Sequence, residues 1–263
     1  MGNGSRAFAI KIMRVDSKFE QYEGFIRALP LKTCYRPNDL LVPELFMQRE
    51  GPIEMYYAPH NDYGNPQASI MIVGITPGWT QMEVAIRTAN QSMFMNKSVQ
   101  EICKEAKMAA RFAGSMRNNL IQMLNELNLP AFCGIADSKE LFEEECPLLH
   151  TTSLLRYPVF INKKNYNGHS PELSKNAFLR NFAYQSIMSE LQTLNNAPLI
   201  IPLGKTVEKM FSLLLTENKI KEKQILWGFP HPSGANGHRL KQFEQSRKQM
   251  LEIIRNYVSL KIS

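Results

Sequence analysis

A chain of 263 residues, 44% hydrophobic and 21% charged, has an ordinary globular composition and enough length to bury a sizeable core. Its net charge of +7 is uneven, with 15 Lys and Arg against 17 Asp and Glu in residues 1–149 and 16 against 7 in residues 150–263. No apolar run approaches the ~20 residues of a membrane span, and Cys34, Cys103, Cys133 and Cys146 lack C-x-x-C spacing, which argues against membrane, disulfide-framework and zinc-ribbon classes.

In chain order, residues 68–75 (ASIMIVGI) read as a buried strand that stops at Gly74 and Pro77. Helices are predicted over about 81–94, 97–113 and 115–128, followed by a weaker strand at 146–154. Phe178, Phe182, Ile187, Leu191 and Leu194 follow helical spacing, and Pro198 ends the pattern. A second clear strand, 198–203 (PLIIPL), a helix at 205–215 and a fourth strand at 224–229 (QILWGF) come next. Leu240, Phe243, Met250, Leu251, Ile254, Tyr257 and Val258 mark a C-terminal helix. Continuous apolar strands alternating with helices predict a three-layer α/β/α fold with a central, mostly parallel, four-stranded sheet. With no linker or repeat, the expectation is one domain over 1–263. In it, 1–67 packs as an N-terminal extension on a core at 68–258.

Ligands of such folds bind outside the carboxyl ends of the strands. Two unusual loops begin there: Gly74-Ile75-Thr76-Pro77-Gly78-Trp79 and His231-Pro232-Ser233-Gly234-Ala235-Asn236-Gly237-His238-Arg239. The first lets backbone approach a ligand closely at its glycines. In the second, two prolines restrict His231. Ser233, a Gly-rich turn and a basic helix start make a seat for phosphate. The basic second half fits a polyanionic partner.

These residues carry a resemblance. The G-x-x-P-G and H-P-S loops resemble the two signature motifs of uracil-DNA glycosylases. Residues 150–158 (HTTSLLRYP), Ser170-Pro171-Glu172-Leu173 and residues 197–204 (APLIIPLG) are similar to the middle of that superfamily's bacterial and archaeal branches. The resemblance implies an enzyme that flips one nucleotide out of DNA and hydrolyses its N-glycosidic bond, with no metal or other cofactor. By motif position His231 would stabilise the departing base at O2, and Ser233 would hold a flanking phosphate. Asn236, His238 and Arg239 would press toward the vacated stack, Arg239 as the plug. Ile75, Gly78, Trp79, Gln81 and Thr152 would line the base.

Two positions depart from the family pattern. Thr76 stands where Asp or Asn holds the attacking water, so a carboxylate from elsewhere, Asp62 or Glu83, becomes a candidate activator. Thr152 stands where many members have a base-reading Asn. Gly78, with no ring to block pyrimidine C5, matches the mismatch and 5-substituted-base branches. The substrate expected is therefore a modified pyrimidine in double- or single-stranded DNA. A hypermodified or glucosylated phage cytosine is one instance, which would make the protein a defence enzyme. Uracil or mismatch repair, a binding module that no longer cleaves, and a free-nucleoside hydrolase are the alternatives. A cytoplasmic protein with free thiols and no membrane or obligate protein partner is expected.

Overall fold

The structure, a computed structural model, describes residues 17–143 and 146–262. The opening part contributes α1 (Phe19–Ala28), α2 (Pro37–Leu40), β1 (Phe46–Glu50) and β2 (Ile53–Tyr56). The first buried strand is β3 (Ile70–Gly74), whose five residues are all buried. Then come α3 (Trp79–Phe94), α4 (Val99–Ala110), α5 (Ser115–Glu126), α6 (Leu129–Cys133) and β4 (Leu149–Ser153). A hairpin of β5 (Val159–Ile161) and β6 (Lys164–Asn165) precedes α7 (Ala177–Thr193), β7 (Leu199–Pro202), α8 (Lys205–Thr216) and α9 (Arg239–Ile262). Helix starts follow their caps. Ser98 and Glu101 form a capping box at α4, and Asn176 accepts the Leu179 amide at 2.8 Å on α7.

The strands form a parallel sheet in the order β4-β3-β7, Gly74 opposite Ser153 and Val73 opposite Pro202. Successive side chains leave by opposite faces. Met71, Val73 and Ile200 enter a cluster with residues of α3, α4, α7 and α8. Ile70, Ile72, Leu149, Leu199 and Ile201 enter another with residues of α5, α6 and α9. Helices thus cover both faces, the three-layer α/β arrangement that the apolar runs predict.

The expected fourth strand shrinks to one parallel bridge, Ile225 with Ile200. A 3-10 turn at Glu222–Gln224 precedes it, and Gly228 turns the chain away at φ +86°. Sequence reading missed a second sheet, antiparallel and ordered β1-β2-β5-β6. Phe19, Ile26, Leu45 and Met55 from the first quarter join the same apolar cluster as Met71 and Val73, so the early segment is built into the core.

Candidate active site

β3 delivers the first loop to the carboxyl edge of the sheet. Thr76 Oγ1 donates to the Tyr157 carbonyl at 3.1 Å and accepts from the Val159 amide at 3.2 Å. Its hydroxyl stitches the loop to the β4–β5 connection. The Gln81 side chain accepts from Gly78 N–H at 3.3 Å and donates to the Ala110 carbonyl at 3.3 Å, holding the loop on the end of α4. Asn165 accepts the Trp79 amide at 2.8 Å, filling one of the orphan donors at the start of α3. A Cβ at Gly78 would lie 3.2 Å from Asn165 Nδ2, so the space that the missing side chain leaves is met by a carboxamide.

The second loop rises from the other edge. Asn236 ties it down by donating to the His231 carbonyl at 3.2 Å and to Gln242 at 3.0 Å, while Asn119 donates to the Pro232 carbonyl at 2.9 Å. Ser233 Oγ accepts from the Ala235 amide, and Arg239 Nη1 donates to the Ser233 carbonyl at 3.0 Å. His238 is exposed.

His231 is the best-defined group here. The Ser233 amide donates to its Nδ1 at 3.3 Å, which places the imidazole proton on Nε2. Burial, with the neighbouring His169 adding to it, lowers its pKa below the ordinary histidine value. The side chain is therefore a neutral donor near neutral pH, with Nε2 unpartnered among the described residues.

The loops converge. A Cβ on Gly204, at the end of β7, would stand 3.2 Å from His231 Cβ. Gly168 lies where a Cβ would touch Ile75 Cδ1 at 3.2 Å and Thr206 Cγ2 at 2.8 Å. Ile75, Gly168, Thr206, Gly204 and His231 thus form one wall across the carboxyl ends of β3 and β7.

On the β4 side Thr152 Oγ1 donates to Glu190 at 2.7 Å, and Glu190 also bonds His150 Nε2 at 2.9 Å. The Asn65 amide donates to His150 Nδ1, so Nε2 carries the proton given to Glu190. The Thr152 hydroxyl is thereby engaged with α7. A narrow crevice beside it is lined by His60, Asn61, Gln81, Arg111, Phe112 and Ser153 among others. Phe112 holds φ +50°, a region a ring-bearing residue seldom adopts, as it reaches the crevice beside Gly74. Sequence reading had missed His60, Asn61, Arg111, Phe112 and Ser153. The positive φ has no sequence signature, and Arg111 reads as a surface charge at the end of a helix. A larger cleft of about 270 Å³, lined by Asn65, Lys104, Lys107 and Pro147, runs toward the amino end of β4 and shares Arg111 and Thr151 with the crevice.

The two carboxylates considered for water activation have other partners. Asp62 is fully buried and accepts four hydrogen bonds, from Ser17 Oγ, the Lys18 amide, Tyr57 Oη and Tyr157 Oη, at 2.8–3.0 Å. Burial raises its pKa, against the pull of those donors. Glu83 accepts the Tyr35 amide at 3.1 Å and pairs with Arg87 at 2.8 Å. Both fasten the early segment to the core.

Residues 61–255 match the profile of the family described as the uracil DNA glycosylase superfamily. The chain belongs to this superfamily. It is also 41% identical over 230 residues, 88% of this chain and 90% of the relative, to the uncharacterized protein YoxB of Bacillus subtilis (strain 168). Membership supports a DNA glycosylase-like activity on a DNA substrate. This superfamily member carries both motif loops inside the matched region, whereas His60 lies immediately before it. Among the described residues no helix is long and apolar enough to cross a membrane.

Proposed function

We propose that the protein is a monofunctional DNA glycosylase that extrudes a 5-substituted pyrimidine nucleotide and hydrolyses its N-glycosidic bond, leaving an abasic site. The observation that carries this reading is His231, a neutral Nε2–H donor fixed by the Ser233 amide where the strand ends converge. As the C1′–N1 bond breaks, its electron pair goes to the base. His231 donates to the O2 on which that charge gathers. Water oxygen bonds to C1′ and releases a proton to solvent. With Thr76 and Asp62 serving as braces, leaving-group stabilisation bears most of the catalysis. Ser233 seats a phosphate, and Asn236, His238 and Arg239 face the gap in the stack. Hypermodified cytosines of phage DNA, hydroxymethylated ahead of glucosylated, are the substrates this reading names, with anti-phage defence as the role.

Two other readings each have an observation behind them. The Asn165 carboxamide in front of Gly78 narrows the space for a C5 group and favours uracil or mismatch repair. The full bonding of Asp62 and Glu83 favours a DNA-binding module without hydrolysis. The test is incubation with duplexes carrying uracil, 5-hydroxymethylcytosine or glucosylated cytosine, followed by alkaline cleavage. The reading expects breaks at a modified base and a ~10²–10³-fold slower His231→Ala variant that still binds duplex. DNA binding without breaks on any substrate leaves the binding module.

A further inference from the structure

His60 is 2% exposed, and neither ring nitrogen has a hydrogen-bond partner among the described residues. Arg111 is 3% exposed and its Nε is also without a partner, while its Nη2 donates to the Glu143 carbonyl at 3.3 Å and its guanidinium lies over the Phe142 ring. Buried polar atoms are nearly always bonded, so two side chains with open atoms on a single crevice call for a ligand that engages them. Their neighbours do not: Asn61 donates to the Arg156 carbonyl and accepts from Lys107, and Gln81 and Thr152 are bonded as described above. The crevice has about 10 Å³ of free volume, room for one water-sized group.

Sheet order fixes which part of a ligand would arrive there. β4 lies at one edge, and the Ile225 segment that leads to His231 lies beyond β7 at the other. A pyrimidine laid across these ends with O2 at His231 turns the opposite side of its ring, the C4–C5 edge, toward Ser153 and the crevice. We propose that the His60–Arg111 crevice takes the hydroxyl of a hydroxymethyl-type substituent on C5 of the extruded base. This rests on the glycosylase reading. Arg111 Nε–H donates to the hydroxyl oxygen, and an unprotonated ring nitrogen of His60 accepts its proton. Burial, with Lys107 nearby, holds the His60 pKa down to about 3, so the ring keeps that acceptor at neutral pH. A hexose on the same oxygen exceeds the space.

The test compares single-turnover excision by the full chain from four duplexes, carrying uracil, 5-hydroxymethyluracil, 5-hydroxymethylcytosine and its glucoside. The wild type should favour 5-hydroxymethyluracil over uracil by ~10-fold or more, and the hydroxymethyl base over its glucoside. His60→Leu and Arg111→Met should each bring the first ratio close to one, and His60→Gln, which keeps an acceptor, should recover part of it. Thermal unfolding of each variant identifies any that fail to fold, and His60→Gln then carries the comparison. Excision of uracil with no hydroxymethyl preference, or a preference that survives both substitutions, overturns this assignment and leaves the glycosylase reading intact. Excision from none of the four overturns both.

Discussion

Asp62, a candidate water activator by sequence, has the bonding of an anchor. Its Oδ2 accepts from Ser17 Oγ, the Lys18 amide and Tyr57 Oη, and its Oδ1 accepts from Tyr157 Oη. In Asp62→Asn the amide oxygen can keep the three donors on one side, and the amide nitrogen can donate to a Tyr157 hydroxyl turned to accept. The cost is then roughly 1–2 kcal/mol, that of weakening bonds to a charge. In Asp62→Ala the two buried phenols lose their acceptor at about 1–3 kcal/mol each, and a cavity opens, for a total of roughly 3–6 kcal/mol. At about 2–4 °C per kcal/mol for a chain near this size, the alanine variant should melt roughly 10 °C or more below wild type and the asparagine variant only a few degrees below. The assay is thermal unfolding followed by circular dichroism, with excision measured per folded molecule well below every midpoint. An asparagine variant that melts with wild type yet loses a hundredfold or more in excision would refute the anchor role and return Asp62 to the chemistry.

The lowered His231 pKa predicts excision that stays level from pH 8 down through 6.5 and declines only at lower pH; excision that instead falls as pH rises through this range would show a protonated His231 at work. The folded states of His60 and His231 bind protons less readily than the unfolded chain, so stability should fall as pH drops below about 6.5, visible as a decreasing melting temperature. Gly204→Ala meets both a φ of +86° and His231 Cβ at 3.2 Å, and should cost about 1–3 kcal/mol of stability together with a slower excision rate. Asn165→Ala removes the acceptor for the Trp79 amide and should cost about 0.5–2 kcal/mol by chemical denaturation.

The parallel strands were legible because burial on both faces leaves unbroken apolar runs such as IMIVG, and the helices because their apolar residues recur at helical spacing. β1 (FMQRE) is exposed over its last three residues and β6 has only two, so neither shows the alternation that marks a strand. The two loops were legible through glycine, proline and histidine at strand ends. The crevice was not. His60, Arg111 and Ser153 come from three separate stretches, and Lys107, Arg111 and Glu190 are of types that sequence reading assigns to the surface. Thr152, read toward the base, does line the crevice, and its hydroxyl is bonded to Glu190, a partner 38 residues away that no local pattern reveals.

The short turn Pro59–Asp62 gives three adjacent residues three duties. His60 faces the crevice, Asn61 bonds Lys107 and the Arg156 carbonyl, and Asp62 takes the Ser17 and Lys18 donors. Tyr22 of α1 stacks on Tyr57 at 4.2 Å just before that turn. A chain trimmed to the matched stretch 61–255 would keep both motif loops and lose His60, the helix α1 and three of the four donors that anchor Asp62. On the two proposals above, bond cleavage and the fitting of the base draw on different lengths of polypeptide. A relative could exchange the leading one, and with it the choice of base, while its catalytic loops stayed as they are.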